Sequence, residues 1–286
     1  MMKFYSYFTP NLKESWILTF YLIVIGGIVS GVIVLLLNLI FPESSIVTNI
    51  IGYILTFLPA LLVIRRKSKI KEADYKIDDN KKPIIKLNGS NFGKINPILF
   101  FFLLLLSIPA INIILDPFTE FLKSPEWFNK IMEQAVGGNF IVSIISVAIL
   151  APLLEEFFCR GIIMRGLLHH TTATKAILWS AFIFAVIHLN PWQGIPAFIS
   201  GIFFGWIYYK TGSLWATIFL HFVNNFLASL SFKLFPEIPM GASIYSVIND
   251  TQLYCMIFAV AVGILTLIIF FLNKYISAND KETISA

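Results

Sequence analysis

Apolar residues run through this chain in long uninterrupted blocks. They show neither the alternation of a half-buried strand nor the one-sided stripe of a soluble helix. Eight blocks stand out, at roughly 15–41, 46–64, 97–115, 140–168, 174–189, 195–209, 214–231 and 251–272. A hydrocarbon core of about 30 Å needs about 20 apolar residues per helix, and most blocks reach or approach that length. The pattern predicts an all-α polytopic membrane helix bundle of about eight transmembrane helices. The fifth and sixth blocks are short, and Asn190-Pro191-Trp192-Gln193-Gly194 between them reads as a tight turn. The first block is too long for a signal-peptide core and lacks a small-residue cleavage site, so it is expected to remain a span.

Composition agrees with the pattern: 57% of the 286 residues are hydrophobic and 13% are charged, where globular domains carry about 25% charge. The net charge of +5 does not point to nucleic acid, because the charges follow the membrane pattern. With both termini in the cytoplasm, eighteen of the twenty-one Lys and Arg fall on that side, leaving Lys123, Lys130 and Lys233 outside. That asymmetry follows the positive-inside rule. Cys159 and Cys255 both sit in apolar runs and imply no disulfide framework.

Three regions follow: membrane spans over 1–139, a polar-bearing core over 140–231, and a last span with a cytoplasmic tail over 232–286. The 65–96 segment holds ten basic residues and is expected to be a solvated loop that retains orientation or meets anionic headgroups. The 116–139 segment, with Trp127 and Phe128, is expected to be an outward-facing interfacial amphipathic stretch, with no site assigned to it.

Ionisable groups inside spans are costly and mark functional sites by default. Here they fall in three places: Glu155, Glu156 and Arg160 on span four, His188 on span five, and His221 with Asn225 on span seven. Glu156 and Arg160 are four residues apart and share a helix face. Glu155 lies about 100° round from its neighbour, so the paired carboxylate braces and the other is left to react. His221 and Asn225 also share a face, while Phe184 shares one with His188, where packing is its plainest use. Cys159 reads as a small buried hydrophobe and Asn190 as a turn residue. Taken together, the polar groups could activate a water and stabilise an oxyanion. Alternatively Glu155, His188 and His221 could hold zinc. Helical rise puts Glu155 and His221 about 20 Å from the outer side but His188 only about 10 Å from it, a mismatch of depth.

At these residues the chain resembles the CPBP family of intramembrane proteases, which includes type II CAAX prenyl endopeptidases and bacterial bacteriocin-processing or immunity (Abi) proteins. Three motifs match in order: EExxxR as Glu155, Glu156 and Arg160; FxxxH as Phe184 and His188; HxxxN as His221 and Asn225. The match covers about residues 140–231, and His188-Leu189-Asn190-Pro191-Trp192-Gln193 looks like the bacterial branch. The resemblance implies an eight-helix fold in a bacterial plasma (inner) membrane, with a conical cavity open to the cytoplasm and the bilayer. It implies that Glu155 and His188 activate water, that His221 and Asn225 form an oxyanion site, and that Glu156, Arg160 and Phe184 organise it. Members of the family are often labelled metalloproteases, and a glutamate-dependent mechanism without metal is also argued. The metal-free version is favoured here, because an amide beside His221 suits an oxyanion donor better than a zinc ligand.

The expected substrate is a peptide or membrane-anchored protein. The main alternative is a non-catalytic membrane interaction or immunity protein that binds a peptide or membrane partner. A transporter using the same cluster as an ion path is disfavoured by the lack of internal repeats and broken helices in both halves.

Overall fold

The structure is a computed structural model and describes residues 7–41, 45–77, 86–137 and 139–277. Lys3, Lys81, Lys82 and Lys281, counted above for orientation, lie outside these residues. Each apolar block falls on a helix: α1 (Leu12–Ile40), α2 (Ser45–Ile77), α3 (Pro97–Phe121), α5 (Phe140–His170), α6 (Ala173–Val186), α7 (Pro191–Thr211), α8 (Leu214–Leu234) and α10 (Thr251–Tyr275). Two shorter helices, α4 (Glu126–Gly137) and α9 (Ile244–Ile248), lie in the connections. Among the described residues no strand occurs, and six helices (α1, α2, α3, α5, α8 and α10) are long and apolar enough to cross a bilayer. This is a multi-pass membrane protein.

Helices start where side chains can serve the free N–H groups of a first turn. Asn11 and Glu14 form a reciprocal capping box on α1, Asn96 and Asn190 cap α3 and α7 with proline next in chain, and Ser213 and Asp250 cap α8 and α10. Gly212 ends α7 in the left-handed conformation (φ 64°), which glycine adopts at little cost.

The 65–96 segment differs from the solvated loop expected. α2 carries helix through residue 77, and residues 86–95 are sewn to the adjoining helix ends. Gly89 N–H donates to Gly212 O (2.6 Å), Asn91 N–H to Thr211 O (3.0 Å), and Leu214 N–H to the Asn88 amide oxygen (2.8 Å). Residues 78–85 lie outside those described. At the opposite end, helix also extends past the expected boundary. Asp116 is buried within α3 and accepts from Ile244 N–H (2.6 Å) and Tyr245 N–H (3.1 Å), which fixes the start of α9. The amphipathic helix α4 packs against α5 and α8 at that end.

α6 has 14 residues, about 21 Å, too short for a full crossing. Beyond its last turn Leu189, 70% exposed, adopts a positive φ of 57°, where the chain reverses into α7. For a bulky residue that conformation costs on the order of 1–3 kcal/mol.

α1 and α2 cross closely at Gly26, where a Cβ would lie 1.9 Å from the Thr56 carbonyl oxygen, whereas one at Gly27 would meet nothing within 4 Å. Gly26→Val should therefore destabilise by about 1–3 kcal/mol through overpacking, lowering Tm in detergent by several degrees. Gly27→Val should leave Tm nearly unchanged. Equal losses at both positions would contradict this crossing.

Candidate active site

Span α5 is where the polar groups begin. Its backbone takes wider, π-type turns over Phe157–Met164, directly after Glu155 and Glu156, a deviation often found at functional sites. Arg160 and Glu156 are fully buried, and Arg160 Nη1 donates to Glu156 Oε1 at 2.9 Å. The guanidinium also donates from Nη2 to Gly201 O on α7 (3.1 Å) and lies 4.4 Å from the centre of the Phe184 ring. A Cβ on Gly201 would come within 3.2 Å of both Arg160 Nη2 and Phe184. Glycine there admits the cation, which a search for polar residues could not have found.

The same Glu156 Oε1 accepts from His221 Nδ1 at 3.1 Å. One carboxylate oxygen thus ties α5 to α8 and aligns a guanidinium and an imidazole. With Nδ1 committed, His221 has Nε2 as its remaining ring nitrogen. His188 Nδ1 lies 2.7 Å from Phe184 O. A carbonyl only accepts, so His188 carries its proton on Nδ1 and keeps Nε2 as an acceptor.

Phe184 does more than pack. Its ring sits between His188 (5.1 Å) and His221 (5.4 Å), with Arg160 over it. The Phe184 ring is thus the shared neighbour of both imidazoles and the guanidinium. Asn190 also exceeds a turn role: its amide N–H groups donate to His188 O (2.7 Å) and Gln193 Oε1 (2.8 Å), which fixes the segment carrying His188.

Phe184, His188, His221, Asn224 and Asn225 line one cavity of about 240 Å³. Asn225 donates from Nδ2 to Val147 O (2.8 Å) and keeps a second amide hydrogen. Glu156 and Arg160 stand behind the cavity wall. Glu155 is not among its lining residues: Oε1 accepts from the Tyr53 hydroxyl of α2 at 2.5 Å, and Oε2 is buried without a hydrogen-bond partner. Tyr53, 102 positions away in sequence, escaped sequence reasoning because a tyrosine in an apolar span looks like packing.

Among the described residues no group of three His, Cys, Asp or Glu side chains is gathered so that it could hold a metal ion. Glu155, His188 and His221 thus do not fit as a zinc ligand set in this conformation, with one held by Tyr53 and another by Glu156.

The lining also has a direction. Measured along each helix from the basic end, His221 lies about 10 Å deep, Asn225 about 16 Å, Asn112 about 22 Å and Gln193 about 27 Å. The cavity thus spans much of the bundle's depth, from Phe204 and His221 nearer the basic end to Gln193 and Trp192 farther from it.

Comparison with known proteins gives the same region. Residues 137–227 match the family model described as type II CAAX prenyl endopeptidase Rce1-like. A Bacillus subtilis (strain 168) protein named "Putative membrane peptidase YdiL" is 34% identical over 92 residues, which cover 32% of this chain and 36% of that protein. The chain thus matches little more than a third of that relative's length. No solved structure matches it significantly.

Removing one partner of a buried ion pair strands the other charge, at about 3–5 kcal/mol. Arg160→Met and Glu156→Gln should each lower thermal stability in detergent by about that much. The double variant Glu156→Gln/Arg160→Met should lose clearly less than the sum. Additive losses would mean that the two side chains do not act as a pair.

Proposed function

Because residues 137–227 carry the Rce1-like pattern, we propose that this chain is an intramembrane endopeptidase that hydrolyses a peptide bond of a membrane-associated protein or peptide. The observation that carries the reading is the convergence of two imidazoles and an amide on one cavity inside an apolar bundle, one imidazole being braced by a buried carboxylate–guanidinium pair. A structural ion pair alone has no need of His188 or Asn225 at the same cavity.

In this reading Glu155, with His188, takes a proton from water, and the hydroxide attacks the peptide carbonyl carbon. The buried, unpartnered Glu155 Oε2 supports that role, since an unsatisfied carboxylate oxygen costs about 1–3 kcal/mol and invites a functional account. Tyr53 positions this carboxylate through Oε1. Leaving the Tyr53 bond and turning toward the cavity brings Glu155 into action. Asn225 Nδ2–H and the doubly protonated form of His221, through Nε2–H, donate to the tetrahedral oxyanion. The C–N bond then breaks as the amine leaves with the proton taken from water. Glu156, Arg160 and Phe184 hold the imidazoles in place. Each of these roles is filled by a side chain of this chain.

The region 140–231 is the proposed catalytic core, with 1–139 supplying spans, orientation and Tyr53, and 232–286 supplying the last span. A bacterial plasma membrane is the proposed setting.

Wild type and Glu155→Gln, purified in detergent, should be compared on a panel of membrane-derived peptides. General acid–base groups contribute about a hundred- to ten-thousand-fold, so the variant should lose cleavage on that scale while eluting as the same folded species. Comparable cleavage by both forms would refute the role given to Glu155. Absence of cleavage in either form, across the panel, would favour the peptide-binding alternative.

A further inference from the structure

A serine in an apolar helix ordinarily turns its hydroxyl back onto the carbonyl four residues earlier, as Ser146 does to Val142 O at 2.7 Å. An asparagine in a span ordinarily bonds across to a neighbouring helix. Two side chains lining the candidate site do neither. Asn112 on α3 and Ser200 on α7 border the cavity, and neither side chain has a hydrogen-bond partner among the described residues. By contrast His188 is engaged with Phe184 O, His221 with Glu156 and Asn225 with Val147 O, while Asn224 Nδ2 donates to Asn225 Oδ1 at 3.2 Å. Both unpartnered residues stand on fixed backbone. Ile111 and Leu115, flanking Asn112 on α3, are buried in the core, and the carbonyl of Gly201, next to Ser200, accepts from Arg160 at 3.1 Å. A polar side chain that joins no helices in a span costs stability and calls for a functional account.

The bilayer sets the need that these two groups meet. Extending a substrate segment for cleavage frees backbone N–H and C=O groups that hydrocarbon cannot satisfy. We propose that Asn112 and Ser200 hold the main chain of an extended polypeptide beside the scissile bond. Asn112 donates from Nδ2 to the carbonyl of one substrate residue and accepts at Oδ1 from the N–H of the same residue. The Ser200 hydroxyl donates to a second carbonyl. In an extended chain the N–H and C=O of one residue point the same way, and a primary amide offers both a donor and an acceptor. The contact therefore reads the peptide backbone, whatever side chain the residue carries. It is made equally before and during reaction, so it governs KM rather than kcat. This assignment rests on the peptidase reading for its place in turnover.

Asn112→Leu and Ser200→Ala are made in the wild type and in a Glu155→Gln background, where bound peptides stay intact. The first readout is Tm in detergent. An amide without a partner stabilises nothing, so Asn112→Leu should melt no lower than its parent. A drop of several degrees would give Asn112 a structural role and overturn the proposal. The second readout is binding of fluorescently labelled membrane-derived peptides. Loss of one neutral hydrogen bond weakens affinity about three- to tenfold, and each variant should show that loss. In the wild-type background KM should rise by the same factor with kcat held within about twofold. The peptide's backbone nitrogens are then methylated one at a time. Methylation at one position should weaken binding to the parent but add nothing to the loss in Asn112→Leu. Unchanged affinity in both variants, or independent losses at every methylated position, overturns the proposal. Peptides that bind through Asn112 and are never cleaved would sink the peptidase reading and leave the contact standing. Cleavage and binding indifferent to Asn112→Leu would do the reverse, and a panel that neither binds nor is cleaved would count against both.

Discussion

A single carboxylate oxygen, Glu156 Oε1, accepts from both Arg160 and His221 in a fully buried position. In an apolar surrounding neither the carboxylate nor the guanidinium is tolerable alone, so each fixes the other. The consequences reach four helices. Arg160 binds the backbone of α7 at Gly201 and lies against Phe184 of α6, while His221 joins α8 to α5. The ion pair therefore determines how these helices meet, and the site is a by-product of that meeting.

The bilayer sets the second constraint. A hydrolytic site at membrane depth needs polar side chains where the solvent offers no hydrogen bonds. At the end of α6, Phe184 O accepts from His188 Nδ1 and the Asn190 amide donates to His188 O, so the imidazole is held by groups within protein.

Helix placement was legible in the sequence because bilayer thickness dictates block length, and the Glu156–Arg160 pair because four-residue spacing shares a face. His221 and Asn225 were legible for the same reason. The hold on His188 was not, since Asn190 reaches it only after the chain reverses at Leu189. Tyr53 and Gly201 were also hidden. Their importance arises from contacts across the bundle, and neither residue type signals chemistry in an apolar run. A regular helix of 3.6 residues per turn puts Glu155 about 100° round from Glu156, whereas the backbone immediately beyond widens at Phe157–Met164. Glu155 does point away from its neighbour, toward Tyr53. The basic 86–95 stretch looked like solvated loop because its anchors are backbone groups, which composition does not register.

The account's central claim is that peptide-bond chemistry occurs in the cavity bounded by His188, His221 and Asn225. An experimental structure of Glu155→Gln trapped with a membrane-derived peptide tests it most directly. The account predicts a peptide carbonyl oxygen within hydrogen-bond reach of His221 Nε2 and Asn225 Nδ2. A peptide bound elsewhere on the protein, with that cavity unoccupied, would contradict it.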